Sequence, residues 1–324
     1  NYYVDSISSA SIDVITSASA YKEKRTEHSV GVNYLQDKSI WSFNYTSSEE
    51  NDYKAKTYSI GVAQDFFGDL TTLSMGYSRG NDDVMKITKD SNTGIKSLDT
   101  NVGTKYADRH NFRLGLSQIL SKHFIAGLNY ELITDKGFLN NPYRTVRFET
   151  GSIFEKYPNT RSSNALSAQL KYYLPYRAAI SGQYRLFNDT WGISADTLAI
   201  SYTHPIKNEW IIDLRYRSYT QNAATFYKDL FPGIAPDDES ERIRARDKEL
   251  STYSNQTLGF SVSYDLAQHD WKLIDKGSIN FSFEHMMFEY QDFRDASVKG
   301  IPIGTEPLYN FSSNGMQVYL SVWD

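Results

Sequence analysis

The 324 residues include no cysteine and carry a formal net charge of −5, which excludes disulfides, thiol catalysis and cysteine-type zinc sites and argues against a nucleic-acid partner. Mean hydropathy is −0.53 and no stretch approaches the ~18 apolar residues that a membrane helix needs, so a helical membrane protein is excluded. Tyrosine is the compositional outlier, at 25 residues beside 17 Phe and 5 Trp. Such amphipathic rings collect in the interfacial girdles of a transmembrane β-barrel, although a soluble all-β protein also favours tyrosine.

From residue 22 onward an apolar or aromatic residue recurs at every second position in runs of about ten residues, the sequence signature of a membrane barrel. Phe112, Leu114 and Leu116 alternate with Asn111, Arg113, Gly115 and Ser117; Trp210, Ile212, Leu214 and Tyr216 alternate with Asp213, Arg215 and Arg217. Counted in chain order, the rhythm predicts strands over 22–36, 39–49, 53–66, 70–83, 107–120, 123–135, 164–174, 178–188, 192–203, 209–220, 251–265, 277–291 and 311–323. Tight connections such as Asp37-Lys38, Phe67-Gly68-Asp69, Ser121-Lys122, Pro175-Tyr176-Arg177 and Lys207-Asn208 alternate with the longer segments 84–106, 136–163, 221–250 and 292–310. Short turns belong to the periplasmic rim of such a barrel and long loops to the outside. There is no linker and no change of texture, so 1–324 reads as one domain.

These thirteen strands are an odd number. A last strand ending at the periplasmic rim requires another strand before residue 22, which Tyr2, Tyr3 and Val4 begin and Ser6 to Ser11 follow as a loop. The expectation is an antiparallel up-and-down barrel with about 14 strands visible and 16 in a complete protein, its N-terminal strands preceding Asn1. Parity places Val30, Val32, Tyr34, Trp41, Phe43, Tyr58, Ile60, Leu73, Met75, Leu166, Leu198, Leu258, Phe283 and Val318 toward lipid, and a slip of one residue would put charges there instead. At the C-terminus parity makes Asp324 outward where an aromatic is expected, so the expectation is either that Trp323 serves through a local twist or that the true end lies beyond Asp324.

Six phrases, in order and at matching spacing, carry a resemblance: Tyr3 to Asp13 (YVDSISSASID), Tyr21 to Arg25 (YKEKR), Phe66 to Thr72 (FFGDLTT), Gly137 to Arg144 (GFLNNPYR), Ala245 to Ser251 (ARDKELS) and Val318 to Trp323 (VYLSVW). Over essentially the whole chain the sequence resembles the bacterial outer-membrane family known as domain of unknown function 3570. The resemblance implies a place in the outer membrane and a start upstream of Asn1, in agreement with the strand count. Its genes often neighbour those of a small lipoprotein, a thioredoxin-like protein and a flavin transferase, which implies a link to extracytoplasmic redox systems by association only.

The opposite parity gives the inner wall: Arg113, Glu131, Gln169, Lys171, Gln183, Arg185, Asp213, Arg215, Arg217 and Glu284, spaced by Gly and Ser. Glu131, Lys171 and Arg185 fall on consecutive strands, with Asp213, Arg215 and Arg217 two strands further on, a juxtaposition expected to form one wall. Five bases against three acids favour anionic solutes in a channel; the plainer reading is a self-neutralising ladder that braces the barrel. The mixed-charge segment 237–249 reads as a solvated loop with room for one helical turn; its carboxylates are alternatives for calcium or for bridging lipopolysaccharide, but the spacing of a calcium hand is missing. Asn140-Asn141-Pro142 is turn chemistry first and a plug contact second. The histidines show no metal spacing, and outward-facing His285 has no serine motif beside it, so it reads as an interfacial histidine rather than part of a triad.

A barrel of this size has a lumen too wide for wall side chains alone to fill. Water, inward-folded loops or a partner must occupy it. The first functional expectation is a monomeric, non-enzymatic conduit for transport or export of a small solute or modified peptide, without a cofactor, selective through Arg113, Lys171, Arg185, Arg215 and Arg217. The alternative is a non-conducting scaffold that holds a small lipoprotein or flavin-linked partner. Expected partners are outer-membrane lipid and lipopolysaccharide, the barrel-assembly machinery and that lipoprotein; nucleic acid is not one.

Overall fold

The structure is a computed structural model; it describes residues 2–8, 22–89, 96–99, 103–207, 209–237, 241–266 and 276–323. In chain order the strands are β1 (Tyr2–Ser8), β2 (Lys22–Gln36), β3 (Ser39–Glu49), β4 (Tyr53–Phe66), β5 (Thr71–Val84), β6 (Ile87–Lys89), β7 (Lys96–Leu98), β8 (Lys105–Ser121), β9 (Phe124–Gly137), β10 (Thr145–Thr150), β11 (Ser152–Phe154), β12 (Thr160–Tyr173), β13 (Ala179–Asp189), β14 (Ser194–Ile206), β15 (Trp210–Gln221), β16 (Phe231–Ile234), β17 (Tyr253–Asp265), β18 (Lys276–Arg294) and β19 (Leu308–Trp323). A single 3-10 turn, Lys248–Leu250, is the only helical element among the described residues.

Fourteen strands form one sheet in the order β1-β2-β3-β4-β5-β8-β9-β12-β13-β14-β15-β17-β18-β19. Every neighbour is antiparallel, as hairpin connections require. The end strands β1 and β19 are not paired with each other among the described residues. The sheet curls strongly: Tyr53 of β4 and Tyr219 of β15, seven strands apart in that order, line the same cavity. This is the up-and-down architecture of outer-membrane β-barrels, and all thirteen strands expected from the two-residue rhythm are present.

Register explains why the rhythm specifies the wall. One row runs Val62, Met75, Leu114, Tyr130, Leu166, Leu186 across six strands. The next row runs Gly61, Gly76, Arg113, Glu131, Ala165, Phe187. Successive side chains on a strand point to opposite faces, so the first row is the apolar exterior and the second the interior. Val32, Phe43, Met75, Leu214 and Val318 are exposed accordingly. Lipid, not protein, is their natural neighbour.

The two rims differ in backbone chemistry. All non-glycine residues with positive φ among those described, namely Asp37, Phe67, Asp69, Arg177 and Lys207, sit in the tight turns of one rim. The opposite rim uses glycine for the same purpose. At Gly137 (φ 119°) an added Cβ would lie 2.2 Å from the Tyr106 carbonyl oxygen, so only glycine fits where β9 leaves the wall.

The differences from the sequence reading concentrate at that second rim. β12 begins four residues before the expected 164 and β18 runs on to Arg294, because these ends rise above the lipid band, where alternation is no longer imposed. The long loops contain strands that the rhythm does not show: the β6–β7 hairpin and a small sheet in the order β11-β10-β16, whose β10–β16 pairing is parallel and joins two different loops. β1 continues through Ser8, so Ser6 to Ser8 are strand rather than loop; residues 9–11 and Asp324 lie outside the described residues.

Candidate functional site

Three loop segments, 138–159, 222–252 and 295–307, fold together into a cap on the inner side of the loop rim. Its core is built from both sources. Tyr157, Ala224, Tyr227, Ala245 and Leu250 come from the loops; Trp191 and Ile193 come from the short β13–β14 connection; Tyr290 and Phe293 come from the top of β18. Inward residues of the upper wall, among them Phe187, Tyr253, Phe288 and Phe311, pack against it. A second cluster, Val146, Phe148, Ile153 and Phe231, lies under the small β10-centred sheet.

Charge holds the segments in register. Asp229 accepts from Nη2 of Arg147 at 2.5 Å, from Nε of Arg246 at 3.1 Å and from the amide of Arg294 at 3.2 Å. Arg147 also reaches Glu306 at 2.6 Å, so a single guanidinium ties all three loops. Arg246 stacks 4.6 Å over the Phe293 ring. Of the segment 237–249, read as a solvated loop, residues 238–240 lie outside the described residues and Asp237 and 241–243 are exposed as expected, but Arg244, Ala245 and Arg246 are buried and Asp247 pairs with Arg144. The signal missed is the alternation Arg242, Arg244, Arg246, which a charge count treats as surface although guanidiniums suit buried bidentate pairing. The helical turn expected there is a 3-10 turn, Lys248–Leu250, the single helical element of that segment among the described residues.

The turn phrase is a plug contact as well. Asn140 accepts from the Tyr157 amide at 2.9 Å and donates to the Glu155 carbonyl at 3.2 Å. Tyr143 donates to Asp52 in the β3–β4 connection, linking the cap to the far side of the rim. Glu155 is buried, and burial pushes its carboxyl up to about 7; Asp247 adds to the rise, while the Tyr157 hydroxyl at 2.5 Å, the Arg246 amide at 2.7 Å and Arg144 oppose it. Burial would also raise Glu306, but hydrogen bonds from Arg147 and from backbone amides hold it below the usual range.

Below the cap the inner wall carries a ladder that the sequence reading did not name. Asp82 on β5, Arg109 on β8, Asp135 on β9, Arg161 on β12 and Asp189 on β13 alternate in sign over five successive strands. Arg109 meets Asp135 at 2.7 Å and Arg161 meets Asp189 at 2.6 Å. Arg161 also lies 4.5 Å over the Trp191 ring. Its signal was available: acid and base alternate at one parity near the loop ends of consecutive strands.

The predicted wall residues sit one to several rows lower, and the structure divides them. Arg113 and Arg185 both approach Glu131, at 3.4 and 3.7 Å. Arg215 approaches Glu284 at 3.7 Å. Asp213 accepts from Thr203, its cross-strand neighbour. Gln169 faces Gln183 across the β12–β13 pair. Lys171 shares a row with Ser181, Ser201 and Arg215 but stands three strands from Arg215, ~14 Å away at the spacing of neighbouring strands, so it does not join the expected wall. His285 faces outward, bonded to Asn314 at 2.7 Å.

Three cavities follow the inner wall from cap to turn rim. The first, about 550 Å³, lies under the cap between Tyr53, Arg109, Asp135, Arg161, Trp191 and Tyr219. The second, about 770 Å³, is lined by Gln169, Gln183, Arg215, Arg217, Tyr219 and Glu284. The third, about 380 Å³, lies near the turns among Lys207, Glu209, Ser263, Asp265 and Asn280. The first two share Tyr219. Beside them, β3 to β5 present Ser42, Asn44, Ser59, Gly61, Ser74 and Gly76, a smooth small-residue wall with Arg113 of β8 at its edge.

Residues 12–290 match the profile of the family described as protein of unknown function (DUF3570). The chain belongs to this family. No curated protein matches this DUF3570 member. Among solved structures it is similar to the siderophore receptor PirA from Pseudomonas aeruginosa, with TM-score 0.51 and 7% identity over 93% of this chain and 55% of that one. CdiB from Acinetobacter baumannii gives 0.47 and 12% over 99% and 59%, and CdiB from Escherichia coli 0.48 and 11% over 98% and 55%. The chain spans a little over half the length of these structures. At such identity the likeness to the receptor concerns the fold.

Proposed function

We propose that this DUF3570 protein resides in the bacterial outer membrane and acts as a capped conduit for a small solute. The observation that carries the reading is the series of cavities from the cap to the turn rim, each lined in part by charged, amide or hydroxyl side chains, inside a wall whose opposite face is apolar. Polar lumen and greasy exterior are the division of labour of membrane barrels that pass solutes. The smooth β3–β5 wall leaves the path sterically undemanding. On the charged side Arg113, Arg185 and Arg215 are met by Glu131 and Glu284, which leaves Lys171 and Arg217 against Asp213 and leans this wall toward anions. None of these residues is assigned a catalytic role.

The cap favours a second reading. An ordered, apolar-cored plug is also what a barrel needs if it serves as a scaffold for a lipoprotein or redox partner rather than as a path. Single-channel recording of the purified protein in planar bilayers separates the two. A steady anion-leaning current supports the conduit; silence that persists after the cap is loosened rejects it and leaves the scaffold.

A further inference from the structure

On the contiguous strands from β8 to β17 six arginines face inward, and five of them meet a carboxylate. Arg109 has Asp135, Arg113 and Arg185 share Glu131, Arg161 has Asp189 and Arg215 has Glu284. Arg217 differs. No carboxylate lies within ion-pair distance of it among the described residues. Its Nη1 donates instead to a neutral acceptor, Oδ1 of Asn255, at 3.2 Å.

That acceptor is fixed. Asn255 is buried, its Nδ2 donates to the Met287 carbonyl at 3.1 Å, and its Oδ1 also accepts from Thr257 at 3.2 Å. The Arg217 guanidinium further rests over the Tyr219 ring, 5.4 Å from its centroid. A charged fork is thus held by neutral contacts on one edge and on one face, and it lines the 770 Å³ cavity. Arg217 is exposed to the lumen, so its free edge is reachable from the cavity. An arginine positioned in this way is ready for an oxyanion from outside, taken bidentately as carboxylate or phosphate.

The rest of the cavity describes the body of the ligand. Gln169 and Gln183, opposite each other across β12 and β13, each offer a donor and an acceptor. Ser181, Ser201 and Thr257 add hydroxyls. Tyr219 and Tyr253, with ring centroids 5.5 Å apart, form an aromatic shelf along one side. The volume falls within the ~300–1,000 Å³ of small-molecule sites. We propose that this cavity is a binding subsite for an anionic, hydroxyl-rich ring, a sugar acid or sugar phosphate, whose oxyanion sits on Arg217, whose hydroxyls meet the amides and whose ring face lies on the tyrosine shelf.

The proposal rests on the conduit reading only for how the solute arrives, so its test is made at equilibrium. The full chain in detergent is titrated calorimetrically with galacturonate, glucose 6-phosphate, galactose and acetate. At least one of the two anionic sugars binds about tenfold more tightly than both galactose and acetate, and which one does so identifies the oxyanion. Arg217→Gln removes that advantage, Arg217→Lys keeps part of it, and Lys122→Gln, in the exposed β8–β9 turn away from the cavity, leaves it intact; heat-modifiable gel migration verifies that each variant is folded. Equal affinity for anionic and neutral sugars, or unchanged binding by a folded Arg217→Gln, overturns the subsite. Arg217-dependent binding by a barrel that conducts nothing overturns the conduit alone, whereas current without such binding overturns the subsite alone.

Discussion

Wall and cap follow opposite rules of burial. In the wall the large apolar side chains, such as Phe43, Leu214 and Val318, point away from the protein and remain exposed. In the cap they point inward, and Phe293 and Val146 are fully buried. The reason is the solvent on each side. Lipid gives apolar groups no reason to leave it, so the wall is held by its inter-strand hydrogen bonds, which hydrocarbon makes obligatory. The cap stands in water and is held by hydrophobic burial together with paired charges that seal it. A change that damages one region should therefore leave the other standing.

The largest separation is expected from Asp229→Ala. It leaves the Arg147 and Arg246 guanidiniums without a shared anion in a buried site, a loss of about 3–5 kcal/mol. Hydrogen exchange should show the cap segments 222–252 and 295–307 opened while the wall amides stay protected; equal loss in both regions would refute the independence of the two. Raised conductance in the same variant would further mark the cap as the restriction of the path.

Glu155 makes cap stability depend on pH in a defined direction. Its carboxyl is near 4.5 when unfolded and about 7 in the folded cap, so between these values the folded state holds a proton that the unfolded state has released. The contribution is fully present below pH 4.5 and is lost as pH rises to 7, by about 3 kcal/mol in total. Glu306 acts oppositely, since its lowered pKa stabilises above the ordinary carboxylate range and is lost on acidification. Cap protection factors, which correct exchange rates for base catalysis, should fall from pH 5 to 8 in the native chain and stay flatter in Glu155→Gln. A parallel slope in the variant would assign the effect elsewhere.

Leu214→Arg sharpens the comparison from the other side. Placed in the outward row between Tyr202 and Phe260, the charge should cost about 2–4 kcal/mol of wall stability in lipid. Urea titration of the barrel in vesicles should register the loss while Trp191 fluorescence, which reports the cap, keeps its native spectrum up to the shifted wall transition. The smallest effect belongs to Lys171→Gln. The side chain is exposed to the lumen and shares its row with serines, so only a modest shift of reversal potential toward cations is expected, with no change in stability. A large change in either would mean that Lys171 holds a contact that its row does not suggest.

How much of this was legible beforehand follows the same boundary. The strands from Lys22 to Phe66 begin and end where alternation says they should, because one misplaced residue there would turn a whole face toward the wrong medium. The inward parity of Arg113, Glu131, Arg185 and Arg215 was equally readable. Their partners were not: Arg185 reaches back across β12 to Glu131, and Arg215 passes over Gly259 to Glu284, and parity gives the face of a side chain but not its neighbour two strands away. The cap was opaque, since Arg147 meets Asp229 and Glu306 across separations of 82 and 159 residues.

Sequence alone thus determined the medium, the wall and its two faces, because a two-residue period facing lipid on one side and water on the other is a local property of each strand. Tertiary structure decided what fills the upper lumen and which inward arginine is left without a carboxylate. Those outcomes depend on loops meeting across the mouth of the barrel and on charge pairing between strands, and no local pattern encodes either.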